Sequence, residues 1–219
     1  DLLAKHFIES GWSVKAMHRL ILHSRTYRLA ATEHAGNLAK DPENHYLWRA
    51  NRRRLDAEQL RDSILTFSGR LDLTRGGRHP FPHRLSYFYR QHEPFQEQYT
   101  SNLRSVYLMQ PRIKKNAFLD LFDGPDGGLH VGDRKSTITT LQALYFLNSE
   151  FVHEQAAAIT DRLPVKDRVR YLYRLIYNRP ANVEEQAFAK KYFAKDNSTK
   201  RWTGYVRSML GSNEFMHID

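Results

Sequence analysis

Apolar residues recur every three or four positions along most of the chain, which predicts a mainly helical protein. Two regions carry this pattern, residues 1–69 and residues 137–219. Between them, residues 70–136 lack this regular apolar spacing and contain glycines, prolines and closely spaced aromatic residues. That composition predicts an irregular insertion with a short β hairpin or strands. The predicted fold class is therefore mainly α, a helical domain with an irregular, aromatic-rich insertion.

Capping residues indicate where the helices of the first region begin and end. A helix over residues 1–9 ends at Ser10, and Ser13 is a good N-cap for the next helix. Asp41-Pro42 predicts another helix start, because a carboxylate suits the cap and proline suits the first helical position. The apolar pattern then predicts a helix over Leu55–Ser68 that ends at a glycine.

The second helical region predicts a long helix that is capped by Thr140 and runs to about Leu163, where Pro164 stops it. The remaining chain predicts three further helices, over about Lys166–Tyr177, Val183–Ala194 and Thr199–Leu210.

The insertion has predicted elements of its own. Apolar and polar residues alternate over Ser105–Met109, which predicts a short strand that would pair with Leu85–Arg90. Residues Ala117–Phe122 predict one short helix. Asp123 and Asp126 follow it in a run of glycine and proline, which is typical of turns.

Charged residues near the end of the insertion form the first candidate site. Arg104, Asp123 and Arg134 would suit the recognition of an anionic group or a sugar hydroxyl group. They would equally suit a buried ion pair that joins the insertion to the helices. Asp123 and Asp126 are the acid/base candidates for a hydrolase. The alternative is that each aspartate caps its own turn, since the calcium-loop pattern with its closing Glu is absent.

A second charged cluster is predicted on the helix that starts near Leu55. Glu58 and Asp62 are four residues apart and so lie on one face, with Arg54 and Arg61 within a turn. Such a cluster is usually a surface or half-buried ion-pair network. The candidate binding residues are Arg54, Glu58, Arg104, Asp123, Asp126 and Arg134.

The sequence lacks the motifs of the common catalytic and cofactor sites. It has no Gly-x-Ser-x-Gly elbow, phosphate-binding glycine loop, dinucleotide fingerprint or His-Glu-x-x-His pair. Because it has no cysteine, thiolate metal sites and covalent haem attachment are excluded within this chain. His79, His83 and His92 match no recognised metal-site spacing. We expect no metal and no cofactor, and we assign no catalytic residue.

The length of 219 residues permits one substantial core, so we expect a single domain over residues 1–219. The chain opens inside a predicted helix, which indicates a piece of a longer protein. The net charge of +10 predicts attraction to polyanions such as acidic glycans. No nucleic-acid-binding motif accompanies that charge, so we expect no specific nucleic-acid partner. No apolar run approaches the roughly 18 residues of a membrane span.

Several short motifs occur in the order of a known family. They include Trp12-Ser-Val-Lys15, His18-Arg-Leu-Ile21, Arg53-Arg-Leu-Asp-Ala-Glu58, His79-Pro-Phe-Pro82, Arg104-Ser-Val-Tyr107, Phe122-Asp-Gly124, Gln142-Ala-Leu144, Arg179-Pro180 and Asn213-Glu-Phe215. Over nearly its whole length the chain resembles the planctomycete domain of unknown function 1553.

The resemblance implies a location and a domain arrangement for the protein, but it implies no activity. Members of that family look like the C-terminal part of large exported proteins of Planctomycetes and related bacteria, often behind a cytochrome c module. The resemblance therefore implies an extracytoplasmic location, with upstream domains of the same chain as partners, and it offers no catalytic residues to carry over. The leading hypothesis is a non-catalytic binding or scaffold module. The alternatives are a hydrolase acting on acidic or sulfated polysaccharide and an electrostatic nucleic-acid binder.

Overall fold

The computed structural model describes residues 1–77, 101–108, 110, 115–130, 132–134 and 136–218. Within these residues lie eleven α-helices: α1 (Leu2–Glu9), α2 (Val14–Leu22), α3 (Ala35–Lys40), α4 (Ala57–Ser68), α5 (Ala117–Leu121), α6 (Thr140–Asn148), α7 (Glu150–Asp161), α8 (Arg168–Tyr177), α9 (Val183–Phe193), α10 (Thr199–Leu210) and α11 (Asn213–Met216). Two short strands, β1 (Arg53–Arg54) and β2 (His217–Ile218), form a two-stranded sheet. The predicted mainly helical class is confirmed. None of the described helices is long and apolar enough to cross a membrane.

Backbone contacts divide the chain into two compact units. The first comprises residues 1–53 together with the end of the chain from His217, and the second comprises Arg54–Met216. The expectation that residues 1–219 form one domain stays a prediction.

In the first unit, a tight turn joins α1 to α2. Gly11 and Trp12 both adopt left-handed backbone conformations, with φ of 68° and 60°. Ser13 caps α2 as predicted, because its Oγ accepts a hydrogen bond from the N–H of Ala16 at 3.2 Å. Phe7 packs edge-on against Trp12, with 5.3 Å between the ring centroids.

The predicted helix start at Asp41-Pro42 is wrong, because α3 ends there instead. The carboxylate of Asp41 accepts hydrogen bonds from the N–H groups of His45 and Tyr46, both at 2.9 Å. These donors lie four and five residues further on, so the carboxylate closes a turn and does not cap a first helical turn. Asn44 has a φ of 59°, which a right-handed helix does not accommodate.

The core of the second unit lies where α7 packs against α4 and α10. Each of these helices buries residues at helical spacing: Leu60 and Ile64 on α4, Val152, Ala156 and Ile159 on α7, and Val206 and Leu210 on α10. Burial of each large aliphatic side chain contributes about 1.5–3 kcal/mol. The remaining helices of the unit are arranged around these three.

The predicted long helix from Thr140 to about Leu163 is two helices, α6 and α7, which break at Ser149. Ser149 has an extended backbone, with ψ of 129°. Serine competes with the helix by bonding to nearby backbone, so it favours helix ends. The cap of α6 is Thr139, whose Oγ1 accepts from the N–H of Gln142 at 3.3 Å while Gln142 Oε1 accepts from the Thr139 N–H at 3.2 Å.

The predicted strand that starts at Ser105 is also wrong over the residues described, since Ser105–Tyr107 form a 3-10 turn. The carboxylate of Asp62 on α4 accepts hydrogen bonds from the N–H of Ser105 at 2.9 Å and from its hydroxyl at 2.7 Å. These bonds occupy the donor that a strand ladder would need. The proposed partner strand, Leu85–Arg90, lies outside the described residues.

Arg61 of α4 holds the same segment from a second side. Its buried guanidinium donates to the carbonyl oxygens of Ser101 and Leu103, the latter at 3.0 Å, and to Ser105 Oγ at 3.2 Å. Arg61 Nη1 lies 3.6 Å from Asp62 Oδ1. Burial lowers the pKa of Arg61, yet an arginine remains charged in proteins. The Arg61–Asp62 pair therefore attaches residues 101–108 to α4.

We predict that Arg61→Met destabilises the protein by about 3 kcal/mol. The apolar stem is kept, but Asp62 loses its counterion and two backbone carbonyl groups lose their donor. For a chain of this size that loss lowers the melting temperature by about 6–12 °C, which thermal unfolding followed by circular dichroism measures.

The matched control is Arg70→Met. Arg70 pairs with Glu154 at 3.8 Å, and both side chains are about half exposed, so its loss should cost less than about 1 kcal/mol. Equal destabilisation by the two variants would contradict the structural role of Arg61.

Candidate functional site

The start of α4, the end of α5 and the start of α6 bring Arg54 and Asp123 together. Arg54 Nη1 lies 3.9 Å from Asp123 Oδ2. Arg54 also donates to Gln142 Oε1 at 2.8 Å and to the carbonyl oxygen of Thr137. Only 9% of the Arg54 side chain is exposed. A cation so far removed from water requires these acceptors.

Asp123 is fixed by Thr137 as well as by Arg54. Its carboxylate accepts from the Thr137 N–H at 2.8 Å and from the Thr137 hydroxyl at 2.9 Å. Asp123 has a φ of 62°, a conformation that aspartate tolerates better than most residues. The next residue, Gly124, donates to the carbonyl oxygen of Leu119, and a Cβ there would lie 2.6 Å from that oxygen. The Asp-Gly pair thus holds the carboxylate towards Thr137.

Gln142 is a connecting residue that the sequence reasoning did not select. It is buried, and its Nε2 donates to the carbonyl oxygen of Leu121 at 2.9 Å. Its Oε1 accepts from Arg54 and from the backbone of Thr139. The amide of Gln142 therefore connects α5 and α6 to Arg54, which precedes α4. The signal in the sequence is the capping box from Thr139 to Gln142.

Arg134 and Glu58 form a separate pair. Arg134 Nη1 and Nη2 donate to the two carboxylate oxygens of Glu58 at 2.7 and 2.9 Å. These hydrogen bonds raise the pKa of Arg134. Because 42% of the Arg134 side chain is exposed, water screens the pair and its contribution to stability is about 0–1 kcal/mol.

Arg104 and Asp126 join neither of these pairs. Arg104 is exposed and makes no ion pair with any other residue that the structure describes. Asp126 Oδ1 accepts from the N–H of Gly128 at 2.8 Å, and its Oδ2 accepts from Lys115 Nζ at 3.2 Å. The Gly128 bond, followed by the Lys115 bond, lowers the pKa of Asp126. The six candidate residues therefore divide into two ion pairs, one exposed arginine and one aspartate bound by Gly128 and Lys115.

Neither Asp123 nor Asp126 has the environment of the proton donor in glycoside hydrolysis. That reaction needs a carboxylic acid that is still protonated at working pH as well as a carboxylate. The lowered pKa of Asp126 disfavours the protonated form. Both oxygens of Asp123 already accept hydrogen bonds from Thr137. These carboxylates hold loops in place.

No group of three or more metal-ligating side chains occurs in the part of the chain that the structure describes. The three histidines of the insertion, His79, His83 and His92, lie outside that part.

A second polar cluster connects α8, α9 and α11. Arg179 donates to Glu185 at 2.7 Å and to Glu214 at 2.5 Å, and its guanidinium lies over the rings of Tyr173 and Tyr177 at 5.3 and 5.6 Å. Hydrogen bonds that Arg179 donates to the carboxylates of Glu185 and Glu214 raise its pKa. Arg179 and Glu214 belong to the sequence motifs Arg179-Pro180 and Asn213-Glu-Phe215. The sequence alone did not indicate that these two motifs are in contact.

An open pocket of about 910 Å³ lies between α8, α9 and α10. Three cationic side chains line it, those of Arg168, Arg170 and Lys190, together with one carboxylate, that of Asp167. None of the six candidate residues contributes to this pocket.

The family model described as PSD1, protein of unknown function (DUF1553), matches residues 1–193. The chain belongs to the DUF1553 family. This confirms the resemblance drawn from the motifs. The DUF1553 match covers α1 to α9 and both pairs at the candidate site, whereas α10 and α11 follow it. No curated protein and no solved structure matches the chain.

We predict different stability effects for two of the charged residues. Asp123→Asn leaves the buried Arg54 without a counterion, which should cost about 1–3 kcal/mol. Arg134→Gln removes only a solvated pair and should cost about 0–1 kcal/mol. Thermal unfolding of both variants beside the parent measures the difference. A loss in Arg134→Gln as large as that in Asp123→Asn would contradict this assignment.

We predict that Asp126 contributes to the acid sensitivity of the protein. Its folded pKa lies below the ordinary value of 3.8, so its stabilisation is present above that value and is lost as the pH falls through the folded pKa. Urea unfolding from neutral to acid pH should therefore show Asp126→Asn less stable than the parent at neutral pH, with the gap closing below about pH 4.

Lys115→Gln is the companion variant. It should keep most of the acid dependence, because the Gly128 hydrogen bond is the larger cause of the shift. A gap between Asp126→Asn and the parent that widens in acid would refute the prediction.

Proposed function

We propose that this DUF1553 chain is a non-catalytic binding module for acidic polymers, with acidic or sulfated glycans as the ligand class. One observation carries the proposal. The charged residues around Asp123 are used in contacts that hold loops in place, while cations around the pocket between α8 and α10 have no acidic partner among the described residues.

Charge supports a polyanionic ligand. Between residues 164 and 202, Lys and Arg outnumber Asp and Glu by more than two to one. Arg170 and Lys190 are exposed there and form no ion pair within the described chain. Unpaired cations on one part of a surface attract anionic polymers at long range and retain them by local contacts.

The setting of the module is part of the proposal. The family resemblance supports an extracytoplasmic location and attachment to upstream domains of a longer chain, including cytochrome c modules. A binding module in that setting would hold such a chain against acidic glycan outside the cell.

The test is binding of the chain to immobilised polygalacturonate and heparin, with neutral dextran as the control. We expect binding to the two acidic glycans that weakens steeply with added salt, because exposed charge pairs are screened. We expect no binding to dextran, and no new reducing ends after long incubation.

Two results would overturn the proposal. One is the absence of binding to either acidic glycan at low salt, and the other is the release of reducing ends, which would establish an enzyme that cleaves the glycan. Tighter binding to DNA than to either glycan would instead establish the electrostatic nucleic-acid binder.

A further inference from the structure

The pocket between α8, α9 and α10 has a cationic rim. Arg168 and Arg170 come from the first turn of α8, and Lys190 comes from the last turn of α9. Arg168 is held in place, because its Nε donates to the carbonyl oxygen of Pro164 at 3.1 Å and its guanidinium lies 5.4 Å from the ring centroid of Trp202. Its terminal nitrogens, like those of Arg170 and Lys190, have no acidic partner among the residues described.

The floor of the same pocket is apolar and tightly packed. Trp202 is 5% exposed, and Phe193 stacks on it with 3.8 Å between ring centroids and 14° between ring planes. Ala181 and Ala189 are buried beside them and line the pocket. The floor therefore offers a rigid apolar surface below the charged rim.

Two amide side chains add directional polar groups. Gln186 Nε2 donates to the carbonyl oxygen of Ala181 at 2.8 Å, which orients the amide and leaves its oxygen as an acceptor. Asn197 Oδ1 accepts from Trp202 Nε1 at 2.6 Å, which leaves the Asn197 amide N–H groups as donors. The pocket thus combines cations, an apolar floor, one oriented acceptor and one oriented donor group.

We propose that this pocket binds the acidic sugar residues of the glycan ligand, a step that rests on the proposed function. The carboxylate or sulfate group lies between Arg168, Arg170 and Lys190, where charge-assisted hydrogen bonds are available. The C–H face of the sugar ring covers the apolar floor, and its hydroxyl groups bond to Gln186 and Asn197. A volume of about 910 Å³ is within the usual size of ligand pockets.

Asp167 supplies an independent check. It is the one carboxylate in the described lining, so it repels a bound anion. It occupies a left-handed conformation with φ of 58° before α8 and makes no side-chain cap, and asparagine tolerates that conformation equally well. Asp167→Asn should therefore fold normally and bind an acidic oligosaccharide about threefold more tightly.

The experiment measures binding of trigalacturonate and of a heparin-derived tetrasaccharide by isothermal titration calorimetry. The test variant is Arg170→Gln with Lys190→Gln. The control is Arg174→Gln with Lys191→Gln, which removes the same charge from the same two helices outside the described pocket lining. We expect the test variant to lose about tenfold or more in affinity and the control less than about twofold. The tighter of the two probes identifies carboxylate or sulfate as the preferred group.

The two proposals fail separately. Equal weakening by the test and control variants, or an Asp167→Asn variant that binds no better than the parent, would overturn the pocket while leaving general binding of acidic glycans intact. A parent that binds the polymers and neither oligosaccharide would do the same. A parent that binds no acidic glycan of any length would overturn the proposed function itself.

Discussion

The packing of α7 against α4 and α10 is the constraint on which the rest of the second unit depends. Val152, Ala156 and Ile159 present a fully buried face, and the small side chain of Ala156 permits close helix approach. This core positions the two neighbouring helices, and each carries a polar feature away from it. Residues at the start of α4 contact the insertion and α6. The start of α10 provides Trp202, which forms part of the floor of the pocket between α8, α9 and α10. One packed core thus supports a structural ion-pair region and a separate open pocket.

Desolvation explains why these two regions use charge differently. Arg54 and Arg61 are largely removed from water, and a buried cation is tolerated only with acceptors around it. Their partners therefore come from whichever backbone lies near, including Thr137 and Ser101. The pocket cations Arg170 and Lys190 remain hydrated and need no partner to be stable. Cations that make no ion pair within the described fold are available to bind an anionic ligand.

Local signals in the sequence were sufficient where the deciding contact is local. Ser13 caps α2 and Gly69 ends α4 in a left-handed conformation, because both effects act within one helical turn. The break at Ser149 was missed because apolar residues continue on both sides of it. Asp123 lies in a turn, as the glycines and proline around it predict, yet its partners, Arg54 and Thr137, lie elsewhere along the chain and follow from tertiary packing. The pocket was missed for the same reason, since it forms only where residues of α8, α9 and α10 come together.

We propose that ligand binding occurs at the pocket between α8, α9 and α10 and that the charges near Asp123 serve the fold. The most direct measurement is a titration of the isotope-labelled chain with trigalacturonate, followed by amide NMR chemical shifts. We predict that the shifts concentrate in Val165–Arg170 and Ala189–Trp202 and that residues around Asp123 and Gln142 do not respond. Shifts concentrated at Asp123–Gln142, with the pocket residues unchanged, would contradict it.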